Sequence, residues 1–366
     1  MKQANKTIIL HDYFLYKGGG ERLVIAMADA LGADIATAFI AKDAFDPRTN
    51  GRKVIELLKE SFFSRLPGFR YLQVQFAFLF KTGFLKHYDT VIYSGDCLVA
   101  LLRAGHAKNI AYMHTPPRHL FDRYADTLAA YSFFKKLLFI PFAALNRWRF
   151  KTLSHKFHRI ITNSENTKKR IRTYLNLDAT VVYPPCDTLP FKNLEHGDYF
   201  FSWARLYHIK RVEMIVRAFA GMPDQKLVVA SGGPDMERIT QIAKGCNNIR
   251  IIGWISEQEL LEYLGRCRAS IYIPVREDFG MSAAESMAAG KPVIGSAEGG
   301  LLEIIEHEKN GLFVETPVTP EHVQASVRSM TAEKAAAMEQ ACYETAQKFT
   351  TKAFNKNIRT AINRTV

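Results

Sequence analysis

The chain alternates short, mostly apolar runs with helix-length patterns, and it does so in two successive series. The runs of the first series lie at 7–10, 90–93, 109–113, 159–162 and 180–183, and those of the second at 199–203, 226–230, 249–252, 269–273 and 292–295. Continuous apolar strands separated by helices are typical of parallel sheets that helices cover on both faces. The alternation therefore predicts an α/β fold.

The two series are separated by a stretch poor in apolar residues, which holds Pro184, Pro185, Pro190 and Gly197. This density of proline and glycine is typical of a linker, and 366 residues suffice for two domains with separate cores. We predict an N-terminal domain over 1–186, a linker over 187–197, a C-terminal domain over 198–345, and a helix over 346–366 that returns to the N-terminal domain. Ligands of such sheets bind beyond the carboxyl ends of the strands, so a cleft between the domains is the expected site.

The formal net charge is +13, although the hydrophobic content of 48% is that of an ordinary globular protein. This basic excess predicts an anionic partner: nucleic acid, a phosphorylated substrate or an acidic lipid surface. The five cysteines form no Cys-x-x-Cys pair, so we expect neither a disulfide framework nor a zinc site. A reducing compartment fits best, and neither a signal peptide nor a membrane span is expected.

The segment 276–292 carries the strongest chemical signal, and it follows an apolar strand. Gly280 breaks the chain there, and the alanine-rich stretch 282–289 predicts a helix. The N–H groups at such a helix start can bind a phosphate or a sugar oxygen. Glu277 before the helix and Glu285 within it could accept hydrogen bonds from hydroxyl groups. The alternative is that Glu277 caps the helix while Glu285 points to water.

This segment resembles the Glu-x7-Glu motif of family-4 retaining glycosyltransferases, which have the GT-B fold of two facing Rossmann-like domains. The resemblance implies that Glu285 binds the ribose hydroxyls of a nucleotide and that Glu277 contacts the donor sugar. It also implies that the backbone at Phe279, Gly280 and Met281 contacts the sugar and its phosphate.

Two cations, Arg205 and Lys210, follow the first strand of the C-terminal domain. A guanidinium fork and an ammonium both suit a diphosphate, and a cation at a helix start is unfavourable unless an anion binds there. The pair resembles the Arg…Lys pair with which the family grips the donor pyrophosphate; the alternative is two solvated cations. Further donor-binding candidates in loops after strands are Gly232, Gly253, Trp254 and Ile255, the last three in the loop that brackets the nucleobase in the family.

The N-terminal domain contributes a glycine run, Gly18, Gly19 and Gly20, before a helix predicted over 21–31. Glycine allows the backbone to approach a ligand closely. The run fits neither the dinucleotide fingerprint nor a Walker loop. It resembles the family's Gly-Gly-x-Glu loop, which lies beneath the donor sugar and phosphates.

His114 and Arg118 follow another apolar strand, in a loop that Pro116 and Pro117 restrain. The simpler interpretation is a histidine paired within its own loop. The segment resembles His-Thr-Pro-x-Arg sequences of bacterial polysaccharide mannosyltransferases in the same family. That resemblance implies that His114 contacts the donor sugar near the reacting carbon and that Arg118 helps to bind the donor.

The mechanism expected from these motifs needs neither a metal nor a cofactor. The chain has no Asp-x-Asp, and cations with a helix N-terminus would stabilise the departing diphosphate. The resemblance implies retention through attack on the face that the diphosphate leaves. The expected donor is a nucleotide sugar, with GDP-mannose preferred because of the His114 segment and a UDP-sugar as the alternative.

Two segments, 62–86 and 133–151, interleave aromatic and basic side chains. Such segments suit the headgroup layer of an anionic membrane, so we expect a lipid-linked glycan acceptor. The protein would then be cytoplasmic and peripheral on the inner face of the cytoplasmic membrane. The alternative is that the aromatic side chains are buried and the cations alone reach water.

Three other functions remain open at this stage. A nucleotide-sugar 2-epimerase shares the GT-B fold, and a non-catalytic nucleic-acid-binding protein would also be basic. The chain has no RNP-like or helix-turn-helix pattern, so we expect no nucleic-acid partner. An inactive glycosyltransferase-like scaffold is the third, and the presence of Glu277, Glu285, Arg205 and Lys210 argues against it.

Overall fold

The computed structural model describes residues 6–15, 17–42, 44–61, 66–187 and 189–363. The chain divides into two compact units. The first unit consists of Met1–Tyr183 and Phe354–Val366, and the second consists of Pro184–Ala353. No helix within the described ranges combines the length and the apolar composition needed to cross a bilayer.

The described part of the first unit forms one sheet, in which every strand pair is parallel. Its strands are β1 (Thr7–His11), β2 (Asp34–Thr37), β3 (Val54–Glu56), β4 (Thr90–Ser94), β5 (Lys108–Met113), β6 (Arg159–Thr162) and β7 (Thr180–Val181), in the order β3-β2-β1-β4-β5-β6-β7. The helices are α1 (Gly19–Leu31), α2 (Pro67–Phe80), α3 (Tyr124–Ala129), α4 (Phe133–Ser154) and α5 (Glu165–Leu175).

Strand β1 shows why the middle of a buried strand is continuously apolar. Ile8 and Leu10 belong to the hydrophobic core on one face of the sheet, and Ile9 between them belongs to the core on the other face. Successive side chains of a strand point to opposite faces, so a strand covered on both sides needs apolar residues at every position.

The second unit repeats the plan with six strands in its described residues, again all parallel. They are β8 (Tyr199–Ser202), β9 (Lys226–Ala230), β10 (Ile249–Gly253), β11 (Ala269–Tyr272), β12 (Val293–Ser296) and β13 (Gly311–Val314), in the order β10-β9-β8-β11-β12-β13. The helices are α6 (Val212–Ala220), α7 (Met236–Ala243), α8 (Glu257–Arg266), α9 (Met281–Ala288), α10 (Pro320–Ser329), α11 (Ala332–Ala337) and α12 (Glu339–Ala346). The chain order therefore reverses between β8 and β11, as it does between β1 and β4 in the first unit.

The prediction of an α/β fold with two parallel-sheet, Rossmann-like domains is confirmed. Strands β2, β3 and β13 were not predicted from the sequence. Helix α1 begins at Gly19 rather than at residue 21, so Gly19 and Gly20 lie in its first turn. Gly18 precedes the helix as its N-cap residue.

The stretch predicted to be a linker, 187–197, belongs to the second unit. Phe191 lies in a core cluster of that unit, and the backbone N–H groups of Leu194 and Glu195 donate to the carbonyl oxygen of Gly265. Its apolar and backbone contacts therefore attach the stretch to one domain. The proline and glycine content indicated an irregular backbone, but it did not reveal this packing.

The last helix, α13 (Thr351–Asn363), carries the chain back to the first unit, which it enters at Phe354 rather than at 346. Phe354, Ile358 and Ile362 are buried in the same core as Ile9. The helix is therefore part of the hydrophobic core of the first unit.

Candidate active site

The loops that follow β8, β9, β10, β11 and β12 lie at one edge of the second sheet, because its strands are all parallel. This edge includes the position between β8 and β11 where the chain order reverses, the usual ligand-binding place in such sheets. The donor-side residues predicted from the sequence lie in or next to these loops: Arg205, Lys210, Gly232, Gly253, Trp254, Ile255, Glu277, Phe279, Gly280 and Met281.

Lys210 and Glu277 are in direct contact, although they are 67 positions apart in the sequence. The Lys210 Nζ atom lies 2.5 Å from Glu277 Oε2, and both side chains are about one-fifth exposed. The hydroxyl group of Tyr272, the last residue of β11, accepts from Lys210 Nζ at 2.8 Å and donates to Glu277 Oε2 at 2.9 Å. The edge of the sheet thus presents a cation and a carboxylate together.

Arg205 lies in the same loop as Lys210, and its side chain is exposed. Leu206 anchors this loop because its side chain is fully buried and its N–H donates to the carbonyl oxygen of Gly232 at 3.0 Å. The loop that bears both predicted cations is therefore fixed to the loop after β9.

Gly232 lies directly against the indole of Trp254. A Cβ atom at Gly232 would lie 2.5 Å from Trp254 Nε1, so a side chain there would displace the indole. The N–H of Ser231 also donates to the carbonyl oxygen of Gly253 at 2.6 Å. The loops after β9 and β10 thus form one surface, on which Trp254 is 70% exposed.

The two glycines at the end of the β12 loop support the backbone of the Glu277 loop. The N–H of Gly300 donates to the carbonyl oxygen of Glu277 at 2.8 Å, and a Cβ atom at Gly299 would collide with the Glu277 backbone. Gly299 also has a φ of +68°, which disfavours a side chain. These two glycines, to which the sequence assigned no role, are needed for the close approach of two loops.

Glu298 was also missed from the sequence. One of its carboxylate oxygens pairs with Arg211 at 2.5 Å, and the other accepts from the backbone N–H of Arg276 at 3.1 Å. It therefore links three loops: those after β8, β11 and β12.

Glu285 lies within α9 and is only 6% exposed, so it does not point to water. Helix α9 begins at Met281, one residue before the predicted start, and Gly280 is its N-cap residue. A Cβ atom at Gly280 would lie 2.6 Å from the side chain of Leu301, and its φ of +108° favours glycine. The N-terminus of α9 thus directly follows the loop that bears Glu277.

In the first unit, His114 follows β5 and contacts the end of β4. Its Nε2 atom lies 2.7 Å from Ser94 Oγ, and His11 Nδ1 lies 3.0 Å from the carbonyl oxygen of Ser94. Burial, helped by His11, lowers the pKa of His114 to about 3. The imidazole is therefore neutral at physiological pH, and it can donate or accept a hydrogen bond while uncharged.

Arg118, predicted to bind the donor, forms an ion pair inside its own loop. Its Nε and one terminal nitrogen lie 3.1 and 2.9 Å from Asp122 Oδ2, and both side chains are largely buried. This pairing gives Arg118 a role in the shape of the loop. Gly20, also predicted to bind the donor, has open space beside it, since a Cβ atom there would meet nothing within 4 Å.

Two carboxylates that the sequence interpretation missed lie at the edge between β1 and β4. The N–H of Asp96 donates to Asp12 Oδ2 at 3.3 Å, and Gly95, at a φ of +95°, leaves room for the Asp12 carboxylate. Burial raises the pKa of Asp96 to about 6; nearby Arg149 lowers it and Asp12 raises it. Each aspartate follows an apolar strand, which is the signal that could have revealed them.

Comparison with known proteins identifies the family. A family model described as Glycosyltransferase Family 4 matches residues 17–188, and one described as Glycosyl transferases group 1 matches residues 188–349. The alpha-1,3/1,6-mannosyltransferase ALG2 of Candida albicans is 24% identical over 399 residues, which cover 87% of this chain and 88% of that protein.

Two solved structures share the fold over almost the whole chain. HepE of Anabaena in complex with UDP and glucose has a TM-score of 0.77 at 17% identity, covering 99% of this chain and 100% of that one. The sucrose-phosphate synthase of Thermosynechococcus elongatus has a TM-score of 0.77 at 19% identity, covering 97% and 98%. The two family models together account for residues 17–349, and the chain belongs to the family-4 glycosyltransferases, with the GT-B fold.

Proposed function

We propose that this glycosyltransferase is retaining and metal-independent, and that it transfers mannose from GDP-mannose to a lipid-linked oligosaccharide. The product would belong to a cell-surface polysaccharide or a glycolipid. The observation that carries the proposal is the contact between Lys210 and Glu277 at the carboxyl edge of the second sheet.

This contact suits both parts of a nucleotide-sugar donor. A lysine ammonium and the N-terminus of α9 offer positive charge to a diphosphate, and the exposed guanidinium of Arg205 can add a forked donor. Developing negative charge on the departing diphosphate would be stabilised by these groups, which is the task a divalent cation has in other transferases. The Glu277 carboxylate can accept hydrogen bonds from sugar hydroxyls.

Mannose is preferred for two reasons. The His114 segment resembles that of bacterial polysaccharide mannosyltransferases, and ALG2, which aligns with most of the chain, is a mannosyltransferase by name. HepE was solved with UDP and glucose, so a UDP-sugar is the alternative donor.

A lipid-linked acceptor is supported by the exposed apolar faces of α2 and α4. We call these faces the aromatic–basic surface; its exposed large apolar residues are Phe69, Leu72, Phe76, Phe80, Phe133, Phe134, Leu137, Leu138, Ile140, Phe142, Leu145 and Trp148. The two helices lie side by side, since Tyr71 of α2 bonds to Asn146 of α4. Part of segment 62–86 (residues 62–65) lies outside the described residues.

Basic side chains lie among these apolar residues. Lys81, Lys135 and Lys151 are exposed, and Arg70 and Lys136 are half-buried. Contiguous apolar area of this kind marks an interaction surface, and interleaved cations suit an anionic lipid headgroup layer. We therefore propose that the protein is peripheral on the inner face of the cytoplasmic membrane.

The proposal is tested with purified protein, several nucleotide sugars and polyprenyl-diphosphate oligosaccharide acceptors. We expect transfer to be fastest from GDP-mannose, to persist in EDTA, and to give a product whose anomeric configuration by NMR matches that of the donor. Release of a free 2-epimerised sugar without acceptor would indicate the epimerase instead.

Alanine variants of the four predicted catalytic residues, His114, Arg205, Lys210 and Glu277, should lose at least about 100-fold in kcat/KM with folding intact. Arg328→Ala is the matched control, because Arg328 is an exposed cation of the second unit that pairs with Asp224. Near-normal transfer by all four variants would refute the site.

A further inference from the structure

The phenol of Tyr272 lies at the centre of the contact between Lys210 and Glu277. One oxygen atom accepts from the ammonium and donates to the carboxylate, so all three side chains are joined. The sequence interpretation assigned no role to this tyrosine, which lies in an apolar strand and is typical of a core residue there.

The surroundings of Tyr272 restrict the phenol to this position. The residue is 6% exposed, and it ends β11 with its backbone paired to Gly295 of β12. The Lys210 ammonium also lies 5.2 Å from the centre of its ring, within the range of a cation–π contact. Burial, together with the Glu277 carboxylate, holds the pKa of Tyr272 well above its ordinary value, so the hydroxyl group stays protonated and can donate.

We propose that Tyr272 is a positioning residue of the transfer reaction: its hydroxyl group holds the Glu277 carboxylate in place when a donor diphosphate draws Lys210 away. This inference rests on the proposed function, in which Lys210 binds the diphosphate and Glu277 the sugar.

The physical reason is a competition for the lysine. A diphosphate carries more negative charge than one carboxylate, so its arrival weakens the 2.5 Å pairing between Lys210 and Glu277. The carboxylate then loses a strong donor at the moment when it must bind a sugar hydroxyl. The phenol of Tyr272 is uncharged, so the diphosphate does not attract it as it attracts the Lys210 ammonium. The phenol can therefore keep its hydrogen bond to Glu277.

Tyr272→Phe removes this oxygen and keeps the ring. We expect kcat to fall about tenfold to 100-fold, as for a lost hydrogen bond to a charged group, while the affinity for the nucleoside diphosphate alone stays within about threefold. The acid limb of the kcat profile, which reports the donor-bound enzyme, should move to higher pH, because a carboxylate that loses a donor is harder to ionise. A purely structural role for the tyrosine would not move this limb.

Tyr199→Phe is the matched control. Tyr199 is a half-buried tyrosine of the same unit, and its hydroxyl group donates to the carbonyl oxygen of Tyr263 at 2.7 Å. It lies at the first position of β8, so its loss should leave kcat and the pH profile unchanged. Thermal unfolding of both variants shows whether either has lost its fold. If Tyr272→Phe does not fold, Tyr272→His, which keeps a ring donor, replaces it and should show a smaller shift of the same sign.

The outcomes separate the two proposals. Wild-type transfer together with a Tyr272 variant whose kcat and acid limb equal those of the wild type overturns the inference and leaves the proposed function intact. Absence of wild-type transfer with every nucleotide sugar overturns the proposed function, and the inference with it.

Discussion

His114 is a buried histidine whose charge state differs between the folded and unfolded chain. Its folded pKa of about 3 lies below the ordinary histidine pKa of about 6.5, so between these values the unfolded chain binds a proton that the folded chain does not. Stability therefore rises with pH across this window and falls as the pH drops through it. The histidine therefore costs stability in acid, which is the sign expected for an imidazole that is buried in its neutral form.

Replacement of this histidine should remove the acid sensitivity that it causes. Between pH 7 and pH 5 the wild type should lose about 2 kcal/mol from this residue, and His114→Gln should not lose it. Urea unfolding of both proteins at the two pH values measures the difference. Equal losses in wild type and variant would mean that His114 is protonated in the folded protein.

At the scale of residues, the sequence brought out the Lys210 and Glu277 pair better than the side chains that support it. Lys210 and Glu277 could be predicted because each follows a strand end, and parallel strands bring such ends to one edge. Tyr272 and Glu298 could not, because their partners depend on which strands are neighbours. The sequence alone does not show that β11 lies beside β8, and that neighbour relation joins Tyr272 to Lys210.

Among the elements, α4 has an unusual distribution of apolar residues. One face packs inward through Phe139, Ala143 and Phe150, and the opposite face exposes large apolar side chains. Phe133 and Phe134 at its start are 74% and 77% exposed. Apolar side chains this exposed mark an interaction surface, and the lipid surface proposed above is a partner that would cover them.

Membrane binding is predicted to depend on this helix start. The double variant Phe133→Ser, Phe134→Ser should weaken binding to anionic vesicles at least about tenfold, because two aromatic side chains no longer enter the lipid. Flotation with phosphatidylglycerol vesicles at several salt concentrations measures it, and binding of the wild type should weaken as salt screens the basic residues.

The control for this experiment is Leu302→Ser, which removes an apolar side chain of similar exposure (56%) from the second unit. It should bind vesicles as the wild type does. Failure of the wild type to float even at low salt would contradict the membrane proposal, and the aromatic–basic surface would then need another partner.

Two of the three strands missed from the sequence, β2 and β3, are short or carry polar ends. Strand β3 has three residues and lies at a sheet edge, where partial exposure removes the need for continuous apolar residues. Strand β2 begins with Asp34 and ends with Thr37, which hides it from a search for apolar runs. Strand β4, which is buried at every position, could be predicted because a core on both faces requires apolar side chains along most of the strand.

At the scale of the whole molecule, the two units are not consecutive segments of the chain. The first unit is built from both ends of the chain, and the second is inserted between them. Hydrogen bonds also attach α13 to the first unit: the Arg359 side chain donates to the carbonyl oxygen of Ala30, and the Lys108 side chain donates to the carbonyl oxygen of Ile362. The first unit should therefore depend on the last residues of the chain for its stability.

A charge in the buried face of α13 tests this dependence. Ile358 is fully buried with Phe354 and Met27, so Ile358→Asp should destabilise the first unit by about 4 kcal/mol through lost apolar contact and a buried carboxylate. Asn357→Asp introduces the same charge on the exposed face and serves as the control. Limited proteolysis followed by mass spectrometry should show the first unit degraded early in Ile358→Asp, while a fragment close to 184–353 persists. A core that includes this helix cannot tolerate a charge at its centre. If Ile358→Asp resists proteolysis as well as the control does, the first unit is stable without α13.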